Sequence, residues 1–150
     1  MTTQSAFDPD SFLNNDSTGA NDTVFMPVPS GEYPAVIEKV DARQTDKGRT
    51  IMDVSWVLQS PEVQATLGRD KVTVRQSVFI DMSDHGTLDL SKGKNIQLGK
   101  LREALGQNDP NKPWRPSYLV GGQAMVTVTQ RPDPQDSSVI YNDIKRVAGL

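Results

Sequence analysis

The chain has 150 residues, no cysteine and one histidine, and its formal net charge at pH 7 is −3. The lack of cysteine excludes disulfides, thiolate metal sites and cysteine nucleophiles, while the single histidine, His85, excludes two-histidine acid–base schemes and most zinc geometries. No apolar run approaches the roughly 20 residues that span a bilayer, and the N-terminal residues do not resemble a secretory signal. We therefore expect a protein that does not insert into a membrane and stays in the compartment where it is made.

Residues 1–30 differ in composition from the rest of the chain. They contain four aspartates and no lysine or arginine, so they carry −4, whereas the remaining 120 residues carry +1. Low hydrophobicity and excess acid predict a flexible acidic N-terminal arm with little structure of its own. Aromatic residues set among acids indicate that the arm docks on a partner or competes for a cationic groove of its own chain, and a plain solubilising tail is the alternative. The partner-binding candidates are Phe7, Asp8, Asp10 and Phe12.

Residues 31–150 show the hydrophobic pattern of one mainly β domain with five strands and one helix. The predicted strands are Tyr33–Ala42, Thr50–Gln59, Lys71–Met82, Gln123–Gln130 and Val139–Val147. A helix ending at Gly106 is predicted at about Lys94–Leu105, between the third and fourth strands. This element order is that of the OB-fold, a small Greek-key barrel that binds oligonucleotides and oligosaccharides. We therefore expect an OB-fold-like, closed five-stranded barrel with one concave, cation-lined surface left free.

The second and third predicted strands alternate strictly between apolar and polar residues, which indicates one buried face and one exposed face. Trp56 lies on the apolar face, so we expect it in the core rather than at a base-stacking site. Phe79 points away from the core, on the same face as Arg75. An outward aromatic with an arginine on its face is typical of a stacking platform for bases. Packing of Phe79 beneath the arm or a helix end is the alternative.

Basic residues near this face are candidates for phosphate contact. The polar turn Thr45–Arg49 between the first two strands places Arg43, Lys47 and Arg49 close together, although simple solvation is the alternative for each. Tyr141 on the fifth strand is a second stacking candidate. The candidate nucleic-acid-binding residues are Arg43, Lys47, Arg49, Lys71, Arg75, Phe79, Tyr141 and Lys145.

Motifs for catalysis are missing from the sequence. It contains no GxxxxGKS, GxGxxG or GxSxG pattern, so phosphate loops and a nucleophile elbow are not predicted. The loop Asp81–Gly93 has three aspartates and His85 but not the ligand spacing of a known metal motif, and a solvated loop is the stronger interpretation. We therefore expect no enzymatic activity, no cofactor and no metal. Trp114, held between prolines, is expected to cover the barrel edge rather than to stack on bases.

Several short motifs together resemble a family of small tailed-phage proteins, often described only as a domain of unknown function or as single-stranded DNA-binding. The motifs are Val28-Pro29-Ser30-Gly31-Glu32-Tyr33, Thr45-Asp46-Lys47-Gly48-Arg49, Ala104-Leu105-Gly106, the segment Leu119–Val128, and Tyr141-Asn142-Asp143-Ile144. The resemblance covers about Gly31–Val147. It implies an OB-like fold and sequence-tolerant binding of single strands during phage DNA replication and recombination, in the cytoplasm of the infected bacterial host. The chain departs from the family in its few outward aromatics and its long acidic N-terminal arm.

Three functions are consistent with these patterns. The first is a non-enzymatic, homo-oligomeric protein that binds single-stranded DNA, with replication or recombination proteins as further partners through the acidic arm. The second is a virion decoration or assembly protein that uses the arm for subunit contacts. The third is an inhibitor or adaptor whose acidic arm mimics nucleic acid.

Overall fold

The computed structural model describes residues 6–150, and in that part of the chain five strands form one antiparallel sheet. The strands are β1 (Gly31–Gln44), β2 (Thr50–Leu58), β3 (Thr73–Ile80), β4 (Gln123–Pro132) and β5 (Ile140–Ala148). The helices are α1 (Pro9–Asn14), α2 (Pro61–Leu67) and α3 (Ile96–Ala104), together with a 3-10 turn at Pro116–Leu119. The expected mainly β architecture, with a helix between the third and fourth strands, is confirmed.

The sheet has the strand order β3-β2-β1-β4-β5. The long β1 pairs with β2 through residues 35–44 and with β4 through residues 31–36, so it connects the two halves of the sheet. A β-bulge between Ile37 and Lys39 lies where β1 passes from one partner to the other, and bulges bend strands and increase their twist. The prediction of a closed barrel is wrong, because β3 and β5 remain the two edges of the sheet.

Side chains at the start of α3 explain why β3 does not pair with β5. Gln97 accepts a hydrogen bond from the Phe79 backbone N–H and donates one to the Ser77 carbonyl, both at 3.4 Å. Just beyond the strand, the Asn95 side chain bonds both backbone groups of Asp81, each at 2.8 Å. Helix α3 therefore satisfies β3 edge groups that barrel closure would have paired with β5. A cleft of about 620 Å³ remains between α3, β3 and β5.

The core lies on one face of the sheet and is closed by α3 and the 3-10 turn. On β2, the predicted inward residues Met52, Val54, Trp56 and Leu58 are all buried, as are their counterparts on β3 and β4. Trp56 is fully buried, which confirms its predicted place in the core, and its indole N–H donates to Gln76 Oε1 at 2.9 Å. Gln76 is the only polar side chain on the inward face of β3, and this bond gives it a partner. Buried polar groups without partners are destabilising.

The N-terminal arm meets the domain at Val28. Residues 6–26 are exposed, whereas Val28 is buried in the core and exchanges hydrogen bonds with the Asn142 side chain. Within the arm, the short helix α1 buries no residue. Neither α1 nor α2 was predicted; α2 follows β2 directly, with Ser60 at its N-cap and Gly68 in the left-handed conformation after its last turn.

Candidate nucleic-acid interface

The ladder of β1, β2 and β3 places a set of mainly polar side chains on the side of the sheet away from the core, here called the outer face. Residues paired directly across antiparallel strands have neighbouring side chains. The pairing defines three rows across β1, β2 and β3, which are Arg43–Ile51–Phe79, Asp41–Asp53–Ser77 and Lys39–Ser55–Arg75. Period-two alternation in the sequence therefore gathers Arg43, Arg75 and Phe79 on one surface, as predicted.

Phe79 is the exposed aromatic of the outer face. Its side chain is 50% exposed, and the guanidinium carbon of Arg49 lies 5.2 Å from the ring centroid. This geometry allows a cation–π attraction between the two groups. Arg75 shares the face but stands four residues along the strand, roughly 13 Å away at about 3.3 Å per residue. The cation beside the ring is therefore Arg49, from the end of the β1–β2 turn, rather than Arg75.

The turn that presents Arg49 forms as its sequence predicts. The backbone N–H of Gly48 donates to the Thr45 carbonyl at 2.8 Å, and Gly48 has a φ of +79°, which favours glycine. Thr45 Oγ1 also accepts a hydrogen bond from the Arg49 N–H at 3.1 Å. Lys47, at the tip of the turn, is exposed. The turn thus holds the backbone of Arg49, whose guanidinium lies over Phe79.

Asp53 is a buried carboxylate at the centre of the outer face. Its Oδ2 accepts from Arg43 Nε at 2.8 Å, and its Oδ1 accepts from the Ser77 hydroxyl at 2.9 Å. The hydrogen bond from Arg43 lowers the pKa of Asp53 most, burial opposes it, and Ser77 and the charge of Arg75 also lower it. Asp53 is therefore ionised at neutral pH and fixes the direction of the Arg43 guanidinium.

The remaining charges of this region are mixed. Lys71 forms an ion pair with Glu38, and Lys39 pairs with Asp41 at 3.2 Å. Among residues 6–150, Arg49 and Arg75 take part in no ion pair. The face and its turn hold more cations than acids, and those cations are Lys39, Arg43, Lys47, Arg49, Lys71 and Arg75. The two arginines without acidic partners are thus the ones best placed for an added phosphate.

Tyr141 and Lys145 do not join this group. Tyr141 pairs with Arg131 on the β4–β5 hairpin, with β1 and β4 between it and β2. Its hydroxyl donates to Asp133 Oδ2 at 2.8 Å, which raises the pKa of Tyr141, and Arg131 lies 5.2 Å from its ring centroid. Lys145 lines the cleft between β3, β5 and α3.

The four candidate partner-binding residues of the arm lie in or beside α1. Asp8 is the N-cap: its carboxylate accepts from the Asp10 N–H at 3.1 Å and from the Ser11 hydroxyl at 3.0 Å, and the bond from Ser11 lowers the pKa of Asp8 most. Phe7 and Phe12 lie 5.8 Å apart between ring centroids, in the positions of a hydrophobic staple. The arm therefore presents a short, locally stabilised aromatic and acidic element.

No protein-family model matches this chain, and no curated protein matches it significantly. Of the described helices, none is both long and apolar enough to cross a membrane. Residues 6–150 also contain no group of three or more His, Cys, Asp or Glu side chains arranged to hold a metal ion.

Two contributors to the outer face were not predicted from the sequence. Asp53 lies on the polar, outward side of β2, yet it is only 7% exposed because Arg43 and Ser77 cover it. Ile51 is also buried, between its strand partners Arg43 and Phe79, although it faces away from the core. An apolar residue on the otherwise polar side of a strand was the available signal for a partly covered patch.

Proposed function

We propose that this protein binds single-stranded DNA through the outer face and has no enzymatic activity. The observation that supports this best is the half-exposed Phe79 ring on an open strand face, with Arg49 over it and further cations around it. Bases stack on aromatic faces for about 1–3 kcal/mol each, and arginine beside the stack attracts the phosphate backbone. In line with the phage resemblance, we place this activity in phage DNA replication and recombination, in the cytoplasm of the infected host.

In this proposal the residues of the outer face have distinct roles. Phe79 stacks on a base, while Arg49 and Arg75 contact phosphates on either side of it. Arg43 uses one donor for Asp53 and keeps the rest of its guanidinium for the backbone of the DNA. Lys47 extends the cationic path into the β1–β2 turn. Because stacking and phosphate contacts do not read base edges, the binding tolerates any sequence.

The support for a contact with DNA is weaker at three of the candidates, Lys71, Tyr141 and Lys145. Lys71 is engaged by Glu38, and the other two lie away from the outer face. They remain candidates for contact with a strand that continues beyond this surface. A single domain of this kind covers only about 4–16 nucleotides, which favours cooperative binding of several copies along one strand.

We further propose that the sheet is an OB-like fold opened between β3 and β5. The support is the order of neighbours, in which β1 is flanked by β2 and β4, together with the approach of both edge strands to α3. OB-folds are partly open Greek-key barrels whose second and third strands, with loops 1-2 and 4-5, bind oligonucleotides. The outer face includes those two strands and loop 1-2, together with β1.

Substitution of Phe79 by alanine tests the proposed stacking. Loss of the ring should weaken binding of fluorescein-labelled oligo(dT) by about 1–3 kcal/mol in an anisotropy titration. The matched control is Tyr118→Ala, because Tyr118 is equally exposed (48%) and also lies beneath an arginine, Arg115, but stands outside the outer face. Equal effects of the two substitutions, or undetectable binding by the unchanged protein, would reject the proposal.

An assembly role in the virion is the second candidate, and one observation favours it. Residues 6–26 of the arm are exposed, and the aromatic helix α1 within them buries no residue. Mass spectrometry of purified phage particles separates the two functions. A replication protein is absent from the particles, whereas a decoration or assembly protein is present in a fixed ratio to the capsid protein.

A further inference from the structure

A large apolar groove opens at the end of the sheet where the β1–β2 turn lies. Its volume is about 1150 Å³, and its apolar lining includes Met52, Ile80, Leu88, Leu90, Trp114 and Val120. Leu90 is 80% exposed and Val120 is half exposed. Apolar surface that is open, contiguous and concave is typical of a site for a partner or ligand.

Hydrogen bonds and an arginine contact hold Trp114 in the wall of the groove. Trp114 is half-buried; its indole N–H donates to Gln107 Oε1 at 2.8 Å, and the Arg102 guanidinium lies 4.1 Å from its ring centroid. Arg102 also donates to the Gln107 carbonyl at 3.1 Å. Three cations line the groove, Arg102, Lys112 and Arg115, against two aspartates. The occupant that fits is therefore apolar in its centre and acidic at its margins.

The N-terminal arm has that chemistry. Phe7, Phe12 and Leu13 are each at least 66% exposed, and the aspartates Asp8 and Asp10 stand among them. The staple and the N-cap hold this segment in shape before it meets a partner, which lowers the entropy cost of docking. The chain thus exposes both an apolar, acidic element and an apolar, cationic groove.

The position of the arm favours docking between two copies. Arg69, just after α2, holds the Met26 carbonyl at 2.7 Å and lies 5.6 Å from the Phe25 ring centroid. Helix α2 follows the end of β2 that pairs with Ala35, at one end of the β1–β2 ladder. Ala42 and Thr50, at the opposite end of that ladder, line the groove. Phe25 follows Leu13 by twelve positions, a stretch of chain that spans at most about 40 Å. The ladder runs about 23 Å from Ala35 to Ala42 at about 3.3 Å per residue, so docking within one chain would extend more than half of that length, at a cost in chain entropy.

We propose that the groove of one copy receives the Phe7–Leu13 segment of a second copy of this chain. The two surfaces differ, so the contact is heterologous. Each copy can contribute its arm to one neighbour and its groove to another. Such contacts build rings or open chains rather than two-fold dimers alone. The contact needs no nucleic acid and does not depend on the proposed DNA binding.

Two full-length single variants test the contact by sedimentation velocity over a concentration series without DNA. Phe12→Ser disables the arm, and Leu90→Glu places a charge in the groove at an exposed position that the fold tolerates. The unchanged protein should gain mass with concentration, and each variant should raise the apparent dissociation constant about tenfold or more. The matched controls are Val24→Ser for the arm and Leu150→Glu for the groove, since both side chains are exposed (47% and 71%) and lie outside the proposed contact.

Mixing the two variants gives the sharpest result. The Phe12→Ser chain keeps its groove and the Leu90→Glu chain keeps its arm, so an equimolar mixture should form one-to-one dimers and grow no further. Either variant alone should stay monomeric at the same total concentration. The proposal is overturned if the unchanged protein is monomeric throughout, if the controls are as damaging as the test variants, or if the mixture does not associate.

Discussion

At the scale of single residues, the outer face depends on Asp53. A buried carboxylate is tolerated there because Arg43 and Ser77 both donate to it, and bonds between charged partners are stronger than neutral ones. The lowered pKa of Asp53 means that the folded state favours the ionised form. Its contribution to stability is therefore present above the unfolded pKa of about 3.9 and is lost as the pH falls through the lower folded value.

Replacement of Asp53 by asparagine should remove this contribution. At pH 7 we expect a loss of about 1.5–3 kcal/mol in the free energy of unfolding, since the charge-assisted bond to Arg43 disappears. At pH 2 the unchanged protein has itself lost most of that stabilisation, so the difference between the two proteins should shrink. Urea unfolding followed by tryptophan fluorescence measures both values.

The control for this comparison is Asp41→Asn. Asp41 also belongs to an ion pair on the outer face, but its side chain is 59% exposed, and exposed pairs contribute little. Its substitution should change the unfolding free energy by less than about 0.5 kcal/mol at either pH. An Asp53→Asn effect that is equally large at pH 7 and pH 2 would contradict the assigned role of the carboxylate.

At the scale of elements, the loop between β3 and α3 is fastened by Asn95. This residue has a φ of +52° at the N-cap of α3, and its side chain bonds the Asp81 N–H, the Asp81 carbonyl and the Asp89 carbonyl. Asparagine adopts the left-handed conformation more readily than most residues because its short side chain can bond nearby backbone groups. One side chain therefore holds the loop together just beyond the end of β3.

Two substitutions at Asn95 separate hydrogen bonding from backbone strain. Asn95→Gly loses the side-chain bonds but adopts a positive φ freely, whereas Asn95→Ala loses the bonds and is also strained. We expect both variants to be less stable than the unchanged protein, with alanine worse than glycine by about 1 kcal/mol. Thermal unfolding gives the order, and an alanine variant as stable as the glycine variant would refute the strain argument.

The sequence predicted the faces of the strands because period-two alternation determines them locally. It also predicted the end of α3: Gly106 has a φ of +70°, and Gln107 bonds back to the Arg102 carbonyl as in a Schellman motif. Helix α2 was missed although its signals were present, namely Ser60 and Pro61 at the start and Gly68 at the end.

Barrel closure and the cation beside Phe79 could not be predicted in this way. Closure depends on whether the β3 edge bonds to β5 or to Gln97 and Asn95, and side-chain bonds to a distant backbone leave no periodic pattern. Arg49 rather than Arg75 lies over Phe79 because Arg49 stands two residues before Ile51, the strand partner of Phe79, and the sequence does not reveal that pairing. Barrel closure and the cation beside Phe79 both depend on contacts between residues that are distant in the sequence.

At the scale of the whole molecule, charge is divided between an acidic arm and a body that carries +1. The net charge of −3 therefore understates the attraction that the outer face offers to a polyanion, since local potential and not net charge guides binding. Four of its cations can contact phosphates: Lys47, Arg49 and Arg75 form no ion pair within residues 6–150, and Arg43 uses only one donor for Asp53. Displacement of counterions by such contacts makes affinity fall with salt, with a slope of about −0.7 per phosphate for single strands.

The most direct test of the account is the salt dependence of oligo(dT) binding, measured for the unchanged protein and for an Arg49→Gln, Arg75→Gln double variant. We predict a slope of log affinity against log salt between about −2 and −3.5, reduced in magnitude by roughly 1.4 in the double variant. We also predict much weaker binding to a duplex of the same length. A slope near zero, an unchanged slope in the double variant, or equal affinity for duplex DNA would contradict the account.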